Sequence, residues 1–402
     1  MGRERVAYLN RSPDTLGMVA VYLRQNVFAP GSPRVGAAPV TGGDTLTRVA
    51  AEGRELAAEP AANPVLPITA APPGPPSDDH YAVNGTVMWI RPPTPLPPGD
   101  SVDLDFEWSF EPPPAPPSDG REGHEESPAG SVWFFGYWYP QMAVYDDVHG
   151  WVTDPYLNGA EFYMDPADYD VRVTVPRGWP VDGTGILENA SDVLSARTLE
   201  RLAEARRTGR VVNVMTPDGS PEEAFAPGGP EATWHFVARG VRDFAWGTGD
   251  RYAWDATRAL VDGGRDTVMI HSYYRLHDAA TAWAVGGARY TRDAIEGLSG
   301  YLWPYPWPRM TSMEGVLDGG GMEYPMATVM QPWADTLSLA GDLMHETGHM
   351  WFPMQVGSDE TRHPWMDEGL TQFDVAQAMR PLYGEPREGG RPNDSEPGQR
   401  AL

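Results

Sequence analysis

The chain has 402 residues, 41% of them hydrophobic, enough for two or more domains with sizeable cores and too apolar for disorder throughout. Its formal net charge is −26 and every basic residue is arginine, which argues against nucleic acid and anionic membrane as partners and favours cationic ligands such as a free peptide amine. The absence of cysteine excludes disulfides, thiol catalysis and cysteine-held metal.

The N-terminus, M-G-R-E-R-V-A-Y-L-N-R-S, lacks the apolar core of a secretion signal, and no run of 18 apolar residues predicts a transmembrane helix. Ser12-Pro13-Asp14 reads as a helix start, with Leu16, Val19, Tyr22 and Leu23 following at helical spacing. Residues 26–78 are rich in Gly, Pro and Ala, with one short helical candidate over 46–57. From Tyr81 the period changes to two, and 83–90, 101–110 and 131–139 are predicted strands. Between the last two, E-P-P-P-A-P-P-S-D-G-R-E-G-H-E-E-S-P predicts a solvated proline-rich loop with His124 at its surface. Further strands are predicted at 161–164, 169–175, 211–215 and 232–238. They are interrupted by an amphipathic helix over 195–207, with Leu199, Leu202 and Ala203 as its apolar stripe and Gly209 as its cap. Strands of this length between turn residues predict a sheet-rich sandwich or saddle ending near 250–265. Beyond Val268 the pattern becomes helical, over 279–298 and again over 335–352, with Pro304, Pro306 and Pro308 between them.

The second of these helices carries the chemistry. His345, Glu346 and His349 stand as H-E-T-G-H, and Glu368 follows in W-M-D-E-G-L. Positions four apart share one helix face, so both imidazoles can point at one ion. Two neutral imidazoles and a carboxylate with an open fourth position make a catalytic zinc site. Glu346 is too close along the helix to join the ligands comfortably and is placed to take a proton from water that the ion activates.

Upstream, residues 319–325 read G-G-G-M-E-Y-P. Glycines let a backbone approach another chain closely, and a strand edge there can pair with an extended peptide. Glu323 then offers a carboxylate to that peptide's α-amine. Taken alone the stretch reads as a plain turn; it gains weight because Glu323 stands 22 residues before His345 of the zinc motif.

Together, G-G-G-M-E-Y-P, H-E-T-G-H and W-M-D-E-G resemble the aminopeptidase-N-like zinc metallopeptidases, a gluzincin group that includes leukotriene hydrolase. W-Y-P-Q-M-A-V-Y-D-D, G-W-V-T-D-P-Y, G-A-E-F-Y-M-D and D-Y-D-V-R-V-T-V-P resemble the saddle domain of bacterial members, so the likeness runs over about residues 80–380. The resemblance implies an α+β chain. A β-rich saddle or sandwich domain would occupy 1–262, and a partial thermolysin-like α/β zinc peptidase domain 263–402, incomplete at its C-terminus. It implies one zinc ion on His345, His349 and Glu368, with Glu346 as general base. Glu323 would hold the substrate amine, and Gly320, Gly321 and Met322 would lie along the substrate backbone. The expected activity is aminopeptidase cleavage of peptides with a free N-terminus. Two alternatives stay open: a catalytically impaired zinc-binding module, and an epoxide hydrolase on the same metal site.

Departures from the family pattern accompany these expectations. The family's oxyanion tyrosine lies tens of residues beyond the glutamate ligand, whereas Tyr383 is only 15 residues past Glu368 and is not assigned that role. The family's closing helical domain has no counterpart, which reads as a chain shortened at one or both ends. Asp374 is the nearest candidate for the acid that supports the ligands. His271 and His277 read as surface or hydrogen-bonded core histidines, His363, close to Glu368, as only a weaker candidate for the cleft, and Asp146-Asp147 and Glu125-Glu126 as solvated charge. No P-loop, dinucleotide fingerprint or serine elbow is present. First-residue preference, oligomeric state and compartment are not legible, and the resemblance leaves export of full-length relatives open.

Overall fold

A computed structural model describes residues 1–59, 76–114, 121–159, 161, 163–216, 221–277, 280–317 and 320–384. Within it the chain divides into two compact units, Met1–Asp119 with Tyr137–Asp165, and Gly120–Gly136 with Pro166–Leu402. The described residues are a sheet-rich mixture of strands with few helices, and no helix among them is long and apolar enough to cross a membrane.

The first unit is built from strands. Ser101–Ser109 alternates, burying Val102, Leu104, Phe106 and Trp108, and pairs antiparallel with Gly2–Leu9 on one side and Thr45–Ala51 on the other. A second sheet runs Gln141–Met142, Val19–Tyr22, Val87–Ile90, His80–Asn84, Ala57–Ala58, around a core of Ala20, Tyr22, Val87, Trp89 and Ala143. Two expectations fail here. Residues 12–23 form no α-helix: Val19–Tyr22 is a strand with all four residues buried, and burial on both faces erases the alternation that would have marked it. Residues 46–57 likewise form no helix: Thr45–Ala51 is a strand, followed by a turn and short strands, because pairing with Ser101–Ser109 outweighs a weak local helical preference. Residues 161, 163 and 164 belong to no strand.

In the second unit, the latter half of the expected proline-rich loop is a strand. Glu122–Ser127 pairs with Gly130–Phe135, and His124 stacks on Trp133 with centroids 4.2 Å apart. Residues 115–120 of that loop lie outside the described residues. Ala167–Pro176, Glu231–Val241 and Ile186–Leu187 form a three-stranded sheet. Helix α1 (Ala196–Thr208) begins where the Ser195 side chain accepts a hydrogen bond from the Thr198 amide and ends at Gly209 in the left-handed conformation, φ 69°. Its inward face is rotated from the expected stripe: Thr198 and Ala205 are buried, Leu199 and Leu202 half-buried and Ala203 exposed.

The largest sheet has six strands: β1 (Val212–Met215), β2 (Tyr252–Val261), β3 (Asp266–Arg275), β4 (Arg309–Glu314), β5 (Gly321–Tyr324) and β6 (Ala327–Met330), in the order β1-β2-β3-β4-β6-β5. β4 is parallel to both β3 and β6. The helical pattern expected beyond Val268 therefore starts late, since β3 continues to Arg275 with its last six residues buried. Helix α2 (Ala280–Tyr301) crosses from β3 to β4. Helices α3 (Thr336–Gly348) and α4 (Glu368–Tyr383) complete a helical layer in which each packs on α2. Tyr274 stacks on Trp283 of α2, and Thr291 of α2 donates to Ser312 at 3.1 Å, so Tyr274 and Ser312 face the helices. By strand alternation, Met269, His271 and Tyr273 of β3 and Arg309 and Thr311 of β4 occupy the opposite face.

His277 takes the hydrogen-bonded one of its two expected readings, and Glu125, though partly exposed, is ion-paired rather than simply solvated. Buried Glu314 accepts from Arg275 Nε at 2.7 Å and lies 2.8 Å from His277 Nε2, and Arg275 donates to Glu125 at 3.1 Å. His271 is a buried core histidine whose Nδ1 accepts from Trp254 Nε1 at 3.2 Å. Burial, aided by the charge of Arg309, lowers its pKa from 6.5 to about 3. The folded chain thus holds this imidazole neutral, while the unfolded chain protonates it below pH 6.5. Its contribution to stability is complete above pH 6.5 and is lost as pH falls toward 3. Denaturant unfolding of His271→Gln between pH 6.5 and 4 should show a pH slope shallower than the parent's by up to about 1.4 kcal/mol per pH unit. Equal slopes would show that His271 protonates in the folded state.

Candidate metal centre

Asp335 caps α3, its side chain accepting from the Ser338 amide at 2.8 Å, and the helix delivers His345 and His349 on one face. It ends at Gly348, four residues short of the expected Phe352, and His349 is its C-cap; Met350, Trp351 and Met354 continue in turns onto the Thr347, Gly348 and His349 carbonyls. α4 starts at Glu368. The two helices meet closely at Gly348, where a Cβ would stand 2.6 Å from Val375 Cγ2 and 2.9 Å from Thr371 Cγ2. Only glycine admits that approach, and it is what carries Glu368 to the histidines.

The three expected ligand side chains converge. His345 Nε2 lies 3.1 Å from His349 Nε2 and 3.0 Å from Glu368 Oε2, and His349 Nε2 lies 3.9 Å from the same oxygen. A tetrahedral ion with donors at about 2.0–2.1 Å requires donor separations of roughly 3.3 Å, which this triangle brackets. The donor set of two nitrogens and one carboxylate oxygen suits zinc. The close His345 contact, with the nearby charge of Arg121, holds the Glu368 carboxyl below its usual pKa against the partial burial that would raise it.

His349 is oriented by three groups. Its Nδ1 lies 3.1 Å from the Phe352 carbonyl, 3.3 Å from Thr371 Oγ1 and 2.6 Å from Asp367 Oδ1. The ring N–H is directed at the carbonyl, and Asp367 stands beside it as the nearer charge, fully buried. With the proton on Nδ1, Nε2 presents its lone pair to the triangle. The sequence named Asp374 for the supporting acid; the residue that reaches His349 is Asp367, which immediately precedes the expected ligand Glu368 and so offered no offset to search for.

The glycine-rich stretch becomes β5, at the edge of the sheet. Gly319 lies outside the described residues; Gly320 precedes β5, and Met322 is buried, so its side chain belongs to the core. A Cβ on Gly321 would fall 2.5 Å from Glu346 Cγ and 2.7 Å from its Cδ, so Glu346 lies in the space that this glycine leaves open. Glu323 is buried with Oε1 3.9 Å from His349 Nδ1, and Glu323, Glu346 and His349 bring ligand atoms within 4.8 Å of one another. Carboxylate oxygens of Glu323, Glu360 and Asp367 also lie within 4.8 Å of one another, each residue at 2% exposure or less. Glu360 was not anticipated; it carries no motif spacing and is recruited by the turn after α3. His363 is exposed. Tyr383 donates to Asp293 at 2.6 Å and is raised in pKa by burial and that carboxylate.

No protein-family model matches the chain. Solved structures do. An M1 zinc metallopeptidase from Deinococcus radiodurans matches at 15% identity and TM-score 0.55, covering 95% of this chain and 67% of that one. A mutant of it bound to a Tyr-Ser-Ala substrate matches at 15% and 0.55, covering 96% and 68%. Aminopeptidase A of Legionella pneumophila, in complex with aspartic acid, matches at 11% and 0.56, covering 95% of this chain and 36% of its own. The chain has the fold of the M1 zinc metallopeptidases. The likeness to that fold expected from the motifs is thus found over nearly the whole chain, including the residues ahead of position 80.

Asp367→Asn should leave the chain folded and weaken zinc binding by about 10–100-fold in a chelator competition titration. Unchanged affinity would remove Asp367 from the support of His349.

Proposed function

We propose that this chain is a zinc-dependent peptidase of the aminopeptidase type, acting on peptides with a free N-terminus. The observation that carries the proposal is the triangle of His345, His349 and Glu368 donors, with Glu346 and Glu323 buried beside it. Zinc, when bound there, supplies a Lewis acid and lowers the pKa of water. Glu346 takes the proton from the attacking water and returns it to the leaving amine. Its confinement against Gly321 limits the directions in which its carboxylate can point, which suits a base that must act at one position.

Glu323 receives the substrate ammonium. Glu360 and Asp367 support this role, because three carboxylates crowded in a buried place gain most from a cation. The edge position of β5 offers main-chain groups to an extended peptide, with Gly320 and Gly321 presenting no Cβ toward it. The neighbouring folds include enzymes bound to a tripeptide substrate and to an amino acid, which supports this class of ligand.

Glu346→Gln should retain one zinc per chain by elemental analysis and lose at least about 100-fold in turnover of aminoacyl anilides. Full turnover in that variant refutes the base assignment, and no turnover in the parent chain favours the metal-binding module instead. Glu323→Ala should reduce cleavage of substrates with a free amine by about 10-fold or more while sparing N-acylated ones. Equal loss on both would count against the amine anchor.

A further inference from the structure

A second concavity, of about 240 Å³, lies in the Pro166–Leu402 part of the chain, on the face of the six-stranded sheet turned away from the helical layer and the His345–His349–Glu368 triangle. Trp234, Phe236, Trp254 and Tyr273, each at 3% exposure or less, form its aromatic floor. Its rim is more open, at Ile186, Leu187 and Leu202.

The polar groups in this apolar setting are unbalanced. Arg309 Nε and Trp234 Nε1 are buried N–H donors with no acceptor. His271 Nδ1 accepts from Trp254, so the proton of this neutral imidazole sits on Nε2, a third donor. All three residues line the concavity. The buried fixed charges are already matched, since Arg309 is ion-paired with Asp182, which also accepts from the Gly183 amide and from Thr311, while Arg206 is exposed. Buried donors left without acceptors cost about 1–3 kcal/mol each, which is offset when an acceptor arrives.

We infer that this concavity is a binding site for a small, uncharged, largely apolar molecule carrying a carbonyl-type oxygen. The donors call for an acceptor. The closed Arg309–Asp182 pair calls for no net charge at the floor, because the other cation lining the concavity, Arg206, is exposed to solvent and an anion would have to enter the apolar interior past it. An apolar cavity of about 150 Å³ takes benzene, so this one suits a substituted single ring or a small bicycle. The floor supplies ring faces for offset or edge-on stacking.

The test uses three fluorinated probes on the full chain, followed by ¹⁹F NMR titration: 4-fluoroacetophenone, fluorobenzene and 4-fluorobenzoate. The ketone should bind saturably with a dissociation constant on the order of 1 mM or tighter. Fluorobenzene, lacking the acceptor, should bind at least about 5-fold more weakly, and the benzoate no more tightly than the ketone. Leu202→Trp, which fills the mouth, should abolish ketone binding; Ile186→Trp on the opposite rim serves if the first variant does not fold. Trp234→Phe keeps the floor and removes one donor, and should shrink the preference for ketone over fluorobenzene. The inference is overturned if the ketone does not saturate the parent chain, or if a folded rim variant binds it unchanged. Tighter binding of benzoate overturns the uncharged class, and an unaltered preference in Trp234→Phe overturns the donor argument.

Discussion

The structure of the candidate centre depends on one convergence: two imidazoles separated by a single helical turn, met by a carboxylate that begins a different helix. The helix fixes the first two by its pitch alone. The third requires α4 to lie against α3 at a distance that no side chain at position 348 would permit. Helix α2, packed on both and anchored to the sheet through Trp283 and Thr291, holds that geometry from behind. A rigid backing of this kind matters because donors must stay within tenths of an ångström of the positions an ion demands.

Around that convergence the chain gathers acid. Glu323, Glu346 and Asp367 are buried beside His349, Glu360 is buried beside Glu323 and Asp367, and the more exposed Glu368 reaches His345, in a protein whose formal charge is already −26. Burying several carboxylates together is unfavourable unless positive charge joins them. A divalent ion and a substrate ammonium are the two cations that the proposed reaction brings. Each of them would offset the mutual repulsion of these carboxylates.

The six-stranded sheet divides two kinds of chemistry. On the helix side lie the carboxylates and imidazoles of the candidate centre. On the other lie aromatic rings, a closed Arg309–Asp182 pair and a histidine kept neutral by burial. β4 serves both faces, because successive side chains of a strand point in opposite directions. Its Ser312 holds α2 while Arg309 and Thr311 reach Asp182.

The amino-acid order alone pointed to His345, His349 and Glu368 as candidate donors, which the fold brings together, since that reading rests on pitch and on donor chemistry, both local or intrinsic properties. It also determined the alternating strands and the capped helix from Ala196 to Thr208, where periodicity and end signals agree. It misread the segments around Val19, Leu46 and Val268, because burial on both faces or pairing with a distant strand overrides local pattern. Only the tertiary structure decided that Asp367 supports His349, that Glu360 joins Glu323, and that Gly321 makes room for Glu346. These are contacts between residues whose separation along the chain carries no period, so their energy exists only once the helices and the edge strand have packed together.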